Sequence, residues 1–231
     1  MKHLLSIIFV LVITGIVAAQ DGIPEQLLHI EKSDPEAKAI LDKTQKLYNS
    51  YKSMEVDFTL TIEVPQEDPE IQKGEIVQFG DKSRLKLPGF LIICDGKTVW
   101  THLKKNKQVQ ISNFEVLEEG SEEFLSPKDF LKMYERGDFY YVLMNEAYEG
   151  KTPIQQIEFK PKDNDSEYSK MRLTINKNNS QMMRVKVFNK DGTRFTLAID
   201  QLKSNQTYTD ATFKLDLKSL PEDIEVEDLR L

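Results

Sequence analysis

Two kinds of hydrophobic periodicity divide the chain. Near the start, apolar and small residues recur at the three- and four-residue spacing of an amphipathic helix. These residues are Ala37, Ile40, Leu41, Thr44, Leu47, Tyr48 and Tyr51. The segment Ser33-Asp34-Pro35-Glu36 predicts the helix start, because it offers a capping side chain, an early proline and a first-turn acid. Charged residues fill the other side, so we expect the helix to lie on an apolar surface.

After Ser53 the hydrophobic period changes to two, which is typical of strands with one apolar face. The first run places Phe58, Leu60, Ile62 and Val64 between polar residues. The pattern returns at Met171/Leu173/Ile175, Met183/Val185/Val187, Phe195/Leu197/Ile199 and Phe213/Leu215/Leu217. Strong hairpin signals follow at Asp95-Gly96 and Asp191-Gly192, and a weaker one at Asn178-Asn179. About ten or eleven strands joined by short turns predict an antiparallel meander rather than alternating strands and helices.

One segment, between residues 113 and 137, interrupts the strand pattern. Ser126-Pro127-Lys128-Asp129 opens a short helix that carries Phe130, Leu131 and Tyr134. We interpret the acidic stretch before it as a solvated loop. Its acids are Glu118, Glu119, Glu122 and Glu123. No linker or repeat divides residues 34–231, which we expect to form one domain after a flexible polar arm at 20–33.

The first 19 residues have the features of a secretory signal peptide. A basic start precedes the apolar run Leu4–Ala19, which ends in the small residues Val17-Ala18-Ala19. A membrane anchor is the alternative, but the run is shorter than the roughly 20 residues that span a bilayer. Cleavage near Ala19 would leave 212 of the 231 residues and make the formal net charge of −7 more negative by one, because Lys2 is lost.

Residues that catalyse reactions or bind metals are scarce. Cys94 is the single cysteine, so no intrachain disulfide can form, and its apolar context favours a buried small hydrophobe over a reactive thiol. His29 and His102 are far apart, so we expect no zinc site. A secreted hydrolase would need a convergent polar constellation that no motif supplies. We therefore expect no enzyme activity, metal or cofactor, and the acidic charge argues against a nucleic-acid partner.

Several segments follow the leading helix in an order that resembles a known family. They are Val56-Asp57-Phe58-Thr59, Gly74-Glu75-Ile76, Cys94-Asp95-Gly96-Lys97-Thr98-Val99-Trp100, Ser126-Pro127-Lys128-Asp129, Asp210-Ala211-Thr212-Phe213 and Val226-Glu227-Asp228-Leu229-Arg230. Together they resemble the LolA-like periplasmic carriers of outer-membrane lipoproteins, from about Ala37 to Arg230. The resemblance implies a mainly β fold with helices: an incomplete, half-open antiparallel β-barrel of about eleven strands. An N-terminal helix and a short lid helix would cover its concave face.

The resemblance also implies a function. Such a carrier shields the acyl chains of lipoproteins in an apolar cavity and shuttles them through the periplasm from the inner to the outer membrane. Burying an acyl chain is worth about 0.8 kcal/mol per CH₂, so these chains need a shield in water. The implied partners are triacylated lipoproteins, an inner-membrane ABC exporter, and an outer-membrane receptor or the membrane itself, with the carrier a monomer. The alternative is a lipid- or peptide-binding sensor or regulatory protein of the same fold.

Candidate binding residues follow from that implied cavity. They are Leu41, Leu47, Phe58, Leu60, Ile62, Leu85, Leu87, Trp100, Met171, Leu173, Val185 and Phe195. For each of them, ordinary core packing is an equally good interpretation. Phe130 and Leu131 are the lid candidates. Better-known family members carry a basic-Arg-Pro segment whose arginine hydrogen-bonds the lid and aids release, whereas this chain has Gly80-Asp81-Lys82-Ser83, which leaves Lys82 and Arg84 for that role.

Overall fold

The structure is a computed structural model that describes residues 32–114 and 126–230. The expected signal peptide, most of the expected arm at 20–33 and the acidic stretch before Ser126 lie outside the described residues. The described chain contains helix α1 (Pro35–Asn49) and helix α2 (Pro127–Arg136). Its strands are β1 (Ser53–Glu63), β2 (Glu70–Phe79), β3 (Lys82–Leu87), β4 (Phe90–Cys94), β5 (Thr98–Leu103), β6 (Gln108–Asn113), β7 (Phe139–Glu149), β8 (Thr152–Pro161), β9 (Tyr168–Asn176), β10 (Met182–Asn189), β11 (Arg194–Ser204) and β12 (Glu225–Asp228).

These strands form one open sheet in the order β12-β6-β5-β4-β3-β2-β1-β11-β10-β9-β8-β7. Only the β12–β6 pair is parallel among the described strands. Strands β7 and β12 lie at the two edges, so the sheet does not close into a barrel. The prediction of a mainly β, incomplete barrel with an N-terminal helix is confirmed. Strand β1 pairs with β2 on one side and with β11 on the other, and so connects strands β2–β6 to strands β7–β11.

Both predicted Asp-Gly hairpins are confirmed. Gly96 and Gly192 have φ values of +90° and +89°, in the left-handed region that glycine adopts without strain. Asp95 accepts hydrogen bonds from the backbone N–H groups of Lys97 and Thr98, at 2.9 and 2.8 Å. These local bonds fix the turn between β4 and β5 and therefore the register of the strands that follow.

Helix α1 begins and packs as its sequence predicts. The Asp34 side chain accepts a 2.9 Å hydrogen bond from the Glu36 N–H, and Pro35 occupies the first turn. Ala37, Leu41, Thr44 and Tyr48 are the buried residues of the helix. Because these residues share one stripe, the helix lies with that stripe on the sheet.

The C-terminal part differs from the prediction of a strand through Phe213, Leu215 and Leu217. The structure has two short 3-10 helices there, Asp210–Phe213 and Leu217–Ser219. Phe213 is buried against the sheet, so one anchoring side chain rather than strand pairing holds this segment. The last strand is β12, whose four residues are all exposed, and hydrophobic alternation cannot reveal such a strand.

Side chains are buried on both faces of the sheet. We call the face that packs against α1 and α2 the concave face, and the opposite one the convex face. The concave face carries the large apolar cluster described below. The smaller convex cluster consists of Val77, Ile93 and Phe213, with Leu91, Trp100, Tyr208 and Leu215 packed against it.

Candidate functional site

The concave face is one continuous apolar surface. Ten of the residues predicted to line a cavity belong to its cluster. They are Leu41, Leu47, Phe58, Leu60, Leu85, Leu87, Met171, Leu173, Val185 and Phe195. Ile62 lies on the same face, because it pairs in register with Phe195. The structure therefore brings these residues together, while their contact with lipid stays a prediction.

Trp100 is not part of this surface, so its assignment to the cavity is wrong. It pairs in register with Ile93 and packs with it in the convex cluster. Its neighbour Val99 contacts the concave cluster instead. Because successive residues of a strand point to opposite faces and both of these are apolar, the sequence pattern does not distinguish them.

Phe58 reaches into the floor of the concave face because its neighbour on β2 has no side chain. Phe58 pairs in register with Gly74. A Cβ atom at Gly74 would overlap the Phe58 ring and lie 2.8 Å from Leu87 Cδ2. Gly74 thus provides the space that the Phe58 ring occupies, which explains why a glycine stands inside a strand.

Tyr48 connects α1 to strand β10 of the sheet. Its ring is fully buried, and its hydroxyl oxygen accepts a 3.1 Å hydrogen bond from the Met182 N–H at the start of β10. Burial raises the pKa of the Tyr48 hydroxyl above its ordinary value. The backbone carbonyl of Tyr51, just after α1, accepts a 2.8 Å hydrogen bond from Lys128 Nζ at the start of α2.

A second polar contact joins the two helices directly. The Tyr134 hydroxyl of α2 donates a 2.8 Å hydrogen bond to Asp42 of α1, and Lys38 forms a 2.7 Å ion pair with the same carboxylate. The Lys38 hydrogen bond lowers the pKa of Asp42, while burial and the Asp42 hydrogen bond raise the pKa of Tyr134. The sequence does not predict this contact, because Asp42 has the same spacing as the other charged residues on the outer side of the amphipathic helix.

Helix α2 fills the concave face with its own apolar side chains. Phe130 and Leu131 are only 1% and 2% exposed. The Phe130 ring meets Phe159 edge-on at 5.4 Å between centroids, and Tyr134 meets Tyr141 at 5.3 Å. Such aromatic pairs add to the apolar area that the helix buries. The helix therefore covers the concave face above β7 and β8.

A small apolar cavity lies beneath the start of α2. This cavity, of about 20 Å³, lies between the start of α2 and strands β10 and β11. Its apolar lining is Pro127, Phe130, Met182, Val185, Leu197 and Ile199, joined by Ser126 and Arg184. This volume suits about one water molecule.

Lys82 and Arg84 do not face α2, so neither can make the lid contact expected of it. Both alternate with Leu85 along β3, which places them on the convex face. Lys82 Nζ lies 2.6 Å from an oxygen of Asp210, and Arg84 Nη2 lies 2.5 Å from an oxygen of Glu75. The polar contacts of α2 come from Lys128 and Tyr134 instead.

Neither a membrane-spanning helix nor a metal site is found within residues 32–114 and 126–230. No helix in these ranges is long and apolar enough to cross a bilayer. The same ranges contain no group of three or more His, Cys, Asp or Glu side chains arranged to hold a metal ion.

Comparisons with known proteins agree with this architecture. The model of the family "Outer membrane lipoprotein carrier protein LolA" matches residues 49–216. An uncharacterized conserved protein of Thermus thermophilus superposes with a TM-score of 0.54 at 16% identity, covering 84% of this chain and 99% of its own. A LolA superfamily protein of Nitrosomonas europaea gives a TM-score of 0.42 at 14% identity, covering 78% of this chain and 98% of its own.

An outer membrane lipoprotein-sorting protein domain of Vibrio parahaemolyticus gives a TM-score of 0.41 at 12% identity, covering 77% of this chain and 97% of its own. No curated protein matches the chain. The family match spans most of the sheet, from β1 to the segment after Phe213. The chain therefore belongs to the LolA family of outer membrane lipoprotein carrier proteins.

Proposed function

We propose that this protein is a periplasmic carrier that shields the acyl chains of lipoproteins on its concave face and moves them from the inner to the outer membrane. The observation that carries the proposal is the continuous apolar cluster of that face, which is covered by two helices rather than by further strands. An acyl chain placed there would gain about 0.8 kcal/mol for each CH₂ removed from water. Membership of the LolA family supports the same ligand class.

The closed arrangement of α2 supports reversible binding. Phe130 and Leu131 already bury their side chains where the acyl chain would lie, so cargo must displace them. The free energy of lid closure then opposes binding and assists release. In this proposal Phe130 and Leu131 act as the lid, and Leu60 and Phe195 belong to the binding surface.

The contacts that hold the lid closed differ from the arginine contact of better-known family members. The Tyr134–Asp42 contact joins α2 to α1, and the Lys128–Tyr51 contact joins α2 to the segment just after α1. We assign the release function to these contacts, since both must break if α2 leaves the sheet. The proposed partners are triacylated lipoproteins, an inner-membrane ABC exporter, and an outer-membrane receptor or the membrane itself. The chain would reach the periplasm after cleavage of residues 1–19.

Native mass spectrometry with a synthetic triacylated lipopeptide tests the proposal. We expect a soluble one-to-one complex with the wild-type protein and its loss in Leu60→Glu, which puts a charge on the concave face. Thr61→Glu is the matched control, because the next residue of β1 points to the convex face. Absence of the wild-type complex would overturn the carrier function, and equal binding by both variants would overturn the site.

The regulatory alternative gives a different result in the same experiment. A sensor of exposed peptide would bind the lipopeptide's amino-acid portion without its acyl chains. The unacylated peptide therefore serves as a second ligand. A complex with this peptide as abundant as that with the lipopeptide would contradict the carrier proposal and favour the regulator.

A further inference from the structure

The convex face carries a cluster of cations around one aromatic ring. Lys170 Nζ and Lys186 Nζ lie 4.9 and 5.6 Å from the centre of the Phe188 ring. The guanidinium carbons of Arg172 and Arg194 lie 5.7 and 5.8 Å from the same centre. Each distance is within the range of a cation–π contact. We call these four cations and Phe188 the basic cluster.

Strand register explains why these side chains converge. On the three neighbouring strands β9, β10 and β11, Phe188 pairs with Lys170 and with Arg194. Lys186 pairs with Arg172 one step along the same face. Lys160 of β8 alternates with Glu158, which binds two of the cluster's cations, and so it faces the same side.

Among the described residues, Lys170, Arg172 and Lys186 share two acids. Glu158 is fully buried and lies 3.0 Å from Lys170 and 2.6 Å from Arg172. Lys186 lies 2.7 Å from Glu63. Two carboxylates therefore serve three of these cations, and Lys160 adds a further positive charge. A locally positive surface on a chain with net charge −7 is suited to a negatively charged partner.

We propose that the basic cluster, with Lys160, is a docking surface for an acidic polypeptide segment of a partner protein. The side chains of Lys170, Arg172 and Lys186 are only 12%, 32% and 28% exposed. Individual carboxylates can reach such recessed charges more readily than a smooth bilayer can. Residues 152–189, all of which the structure describes, also present no exposed large apolar side chain that would insert into a membrane.

A docking surface at the basic cluster would be a function in addition to the proposed carrier function. The cluster lies on the face opposite α1 and α2, so an acidic partner bound there leaves the concave face free to take up or release cargo. Docking and cargo binding therefore use separate surfaces, and each can be removed without the other.

Fluorescence anisotropy of a short labelled peptide of alternating glutamate and glycine tests the proposal at low ionic strength. The variant is Lys160→Glu/Lys186→Glu, which leaves the two cations that neutralise buried Glu158 in place. The control is Lys43→Glu/Lys105→Glu, which makes the same change in net charge at exposed sites of α1 and of the β5–β6 loop. We expect the cluster variant to bind the peptide about tenfold more weakly than wild type and the control to stay within about twofold.

Equal weakening in both double variants would overturn the docking surface, because net charge alone would then explain binding. Equally tight binding of an alternating glutamine–glycine peptide would overturn it as well. Should Lys160→Glu/Lys186→Glu fail to fold, Lys160→Gln/Lys186→Gln provides the milder test, with a smaller loss expected. Cluster-dependent binding to phosphatidylglycerol vesicles without binding to the acidic peptide would assign the surface to a membrane and overturn the proposal. Lipopeptide binding, measured on the same variants, reports separately on the carrier function.

Discussion

The hydroxyl of Tyr134 on α2 donates a 2.8 Å hydrogen bond to the carboxylate of Asp42 on α1, and this bond joins the two helices that cover the concave face. Because Tyr134 is 8% exposed, loss of the bond removes about 1 kcal/mol of stability. If lid closure opposes cargo, Tyr134→Phe should bind a triacylated lipopeptide about fivefold more tightly. Isothermal titration measures the affinity, and Tyr140→Phe, on β7, is the control. Unchanged or weaker binding by Tyr134→Phe would contradict a role for this bond in closure.

Gly74→Ala tests whether the space beneath Phe58 is required. The added Cβ overlaps the Phe58 ring, so we expect a loss of about 1–3 kcal/mol in the free energy of unfolding. Phe58→Leu in the same chain should recover part of that loss, because the smaller side chain vacates the space. Urea denaturation of both single variants and the double variant gives the coupling energy. Additive effects would show that the two residues do not compete for this volume.

Glu158 and Glu146 allow a comparison of buried and exposed ion pairs. Glu158→Gln removes the charge that holds Lys170 and Arg172 from a fully buried position, and we expect it to cost about 3–5 kcal/mol. Glu146→Gln breaks the exposed pair with Lys177 and should cost much less, because water already screens that pair. Urea denaturation near neutral pH measures both. Similar losses would mean that burial does not govern these pairs.

His102 should make stability depend on pH. Burial, with a smaller effect of Lys104, lowers the pKa of this imidazole below its ordinary value of 6.5, and Nε2 has no hydrogen-bond partner among the described residues. The unfolded chain therefore binds a proton first as pH falls, so stability is complete above about 6.5 and decreases below it. Asp42, whose pKa is lowered from 3.8, contributes such a loss only at lower pH.

Urea denaturation at about pH 7.5 and about pH 5.5 tests this effect, since an ordinary histidine, as in the unfolded chain, titrates between them. The wild-type protein should be less stable at the lower pH, and His102→Gln should lose most of that difference. An equal loss in both proteins would assign the pH dependence to other groups.

Much of the fold could be predicted because local chemistry determines it. Asp34 and Pro35 define the start of α1, and the Asp-Gly turns define hairpins, through hydrogen bonds within a few residues of each other. Strand β12 was not predictable in this way. Its exposed residues carry no apolar alternation, and its place depends on backbone pairing with β6, which is more than a hundred residues away in sequence.

The candidate site was predictable where a strand has a single apolar face. Leu60 and Leu173 alternate with polar residues, so their side of the sheet follows from the pattern. Trp100 and its neighbour Val99 are both apolar, so either could face the helices. Only the register of β5 with β4 decides which of the two lies on the concave face. The Tyr134–Asp42 bond depends on how α2 packs on α1, about which the sequence around either residue carries no signal.

The pairing of β1 with β11 has a consequence for how the chain folds. Met54 lies opposite Ser204, and Glu63 opposite Arg194. This pairing, which we call the β1–β11 seam, therefore joins residues that are far apart in the sequence. Strands β1–β6 and β7–β11 can each form from successive hairpins, whereas closing the seam requires a long loop and is slow. Until it closes, β1 exposes an unpaired edge beside the apolar side chains of Phe58 and Leu60. Folding therefore competes with aggregation at this seam.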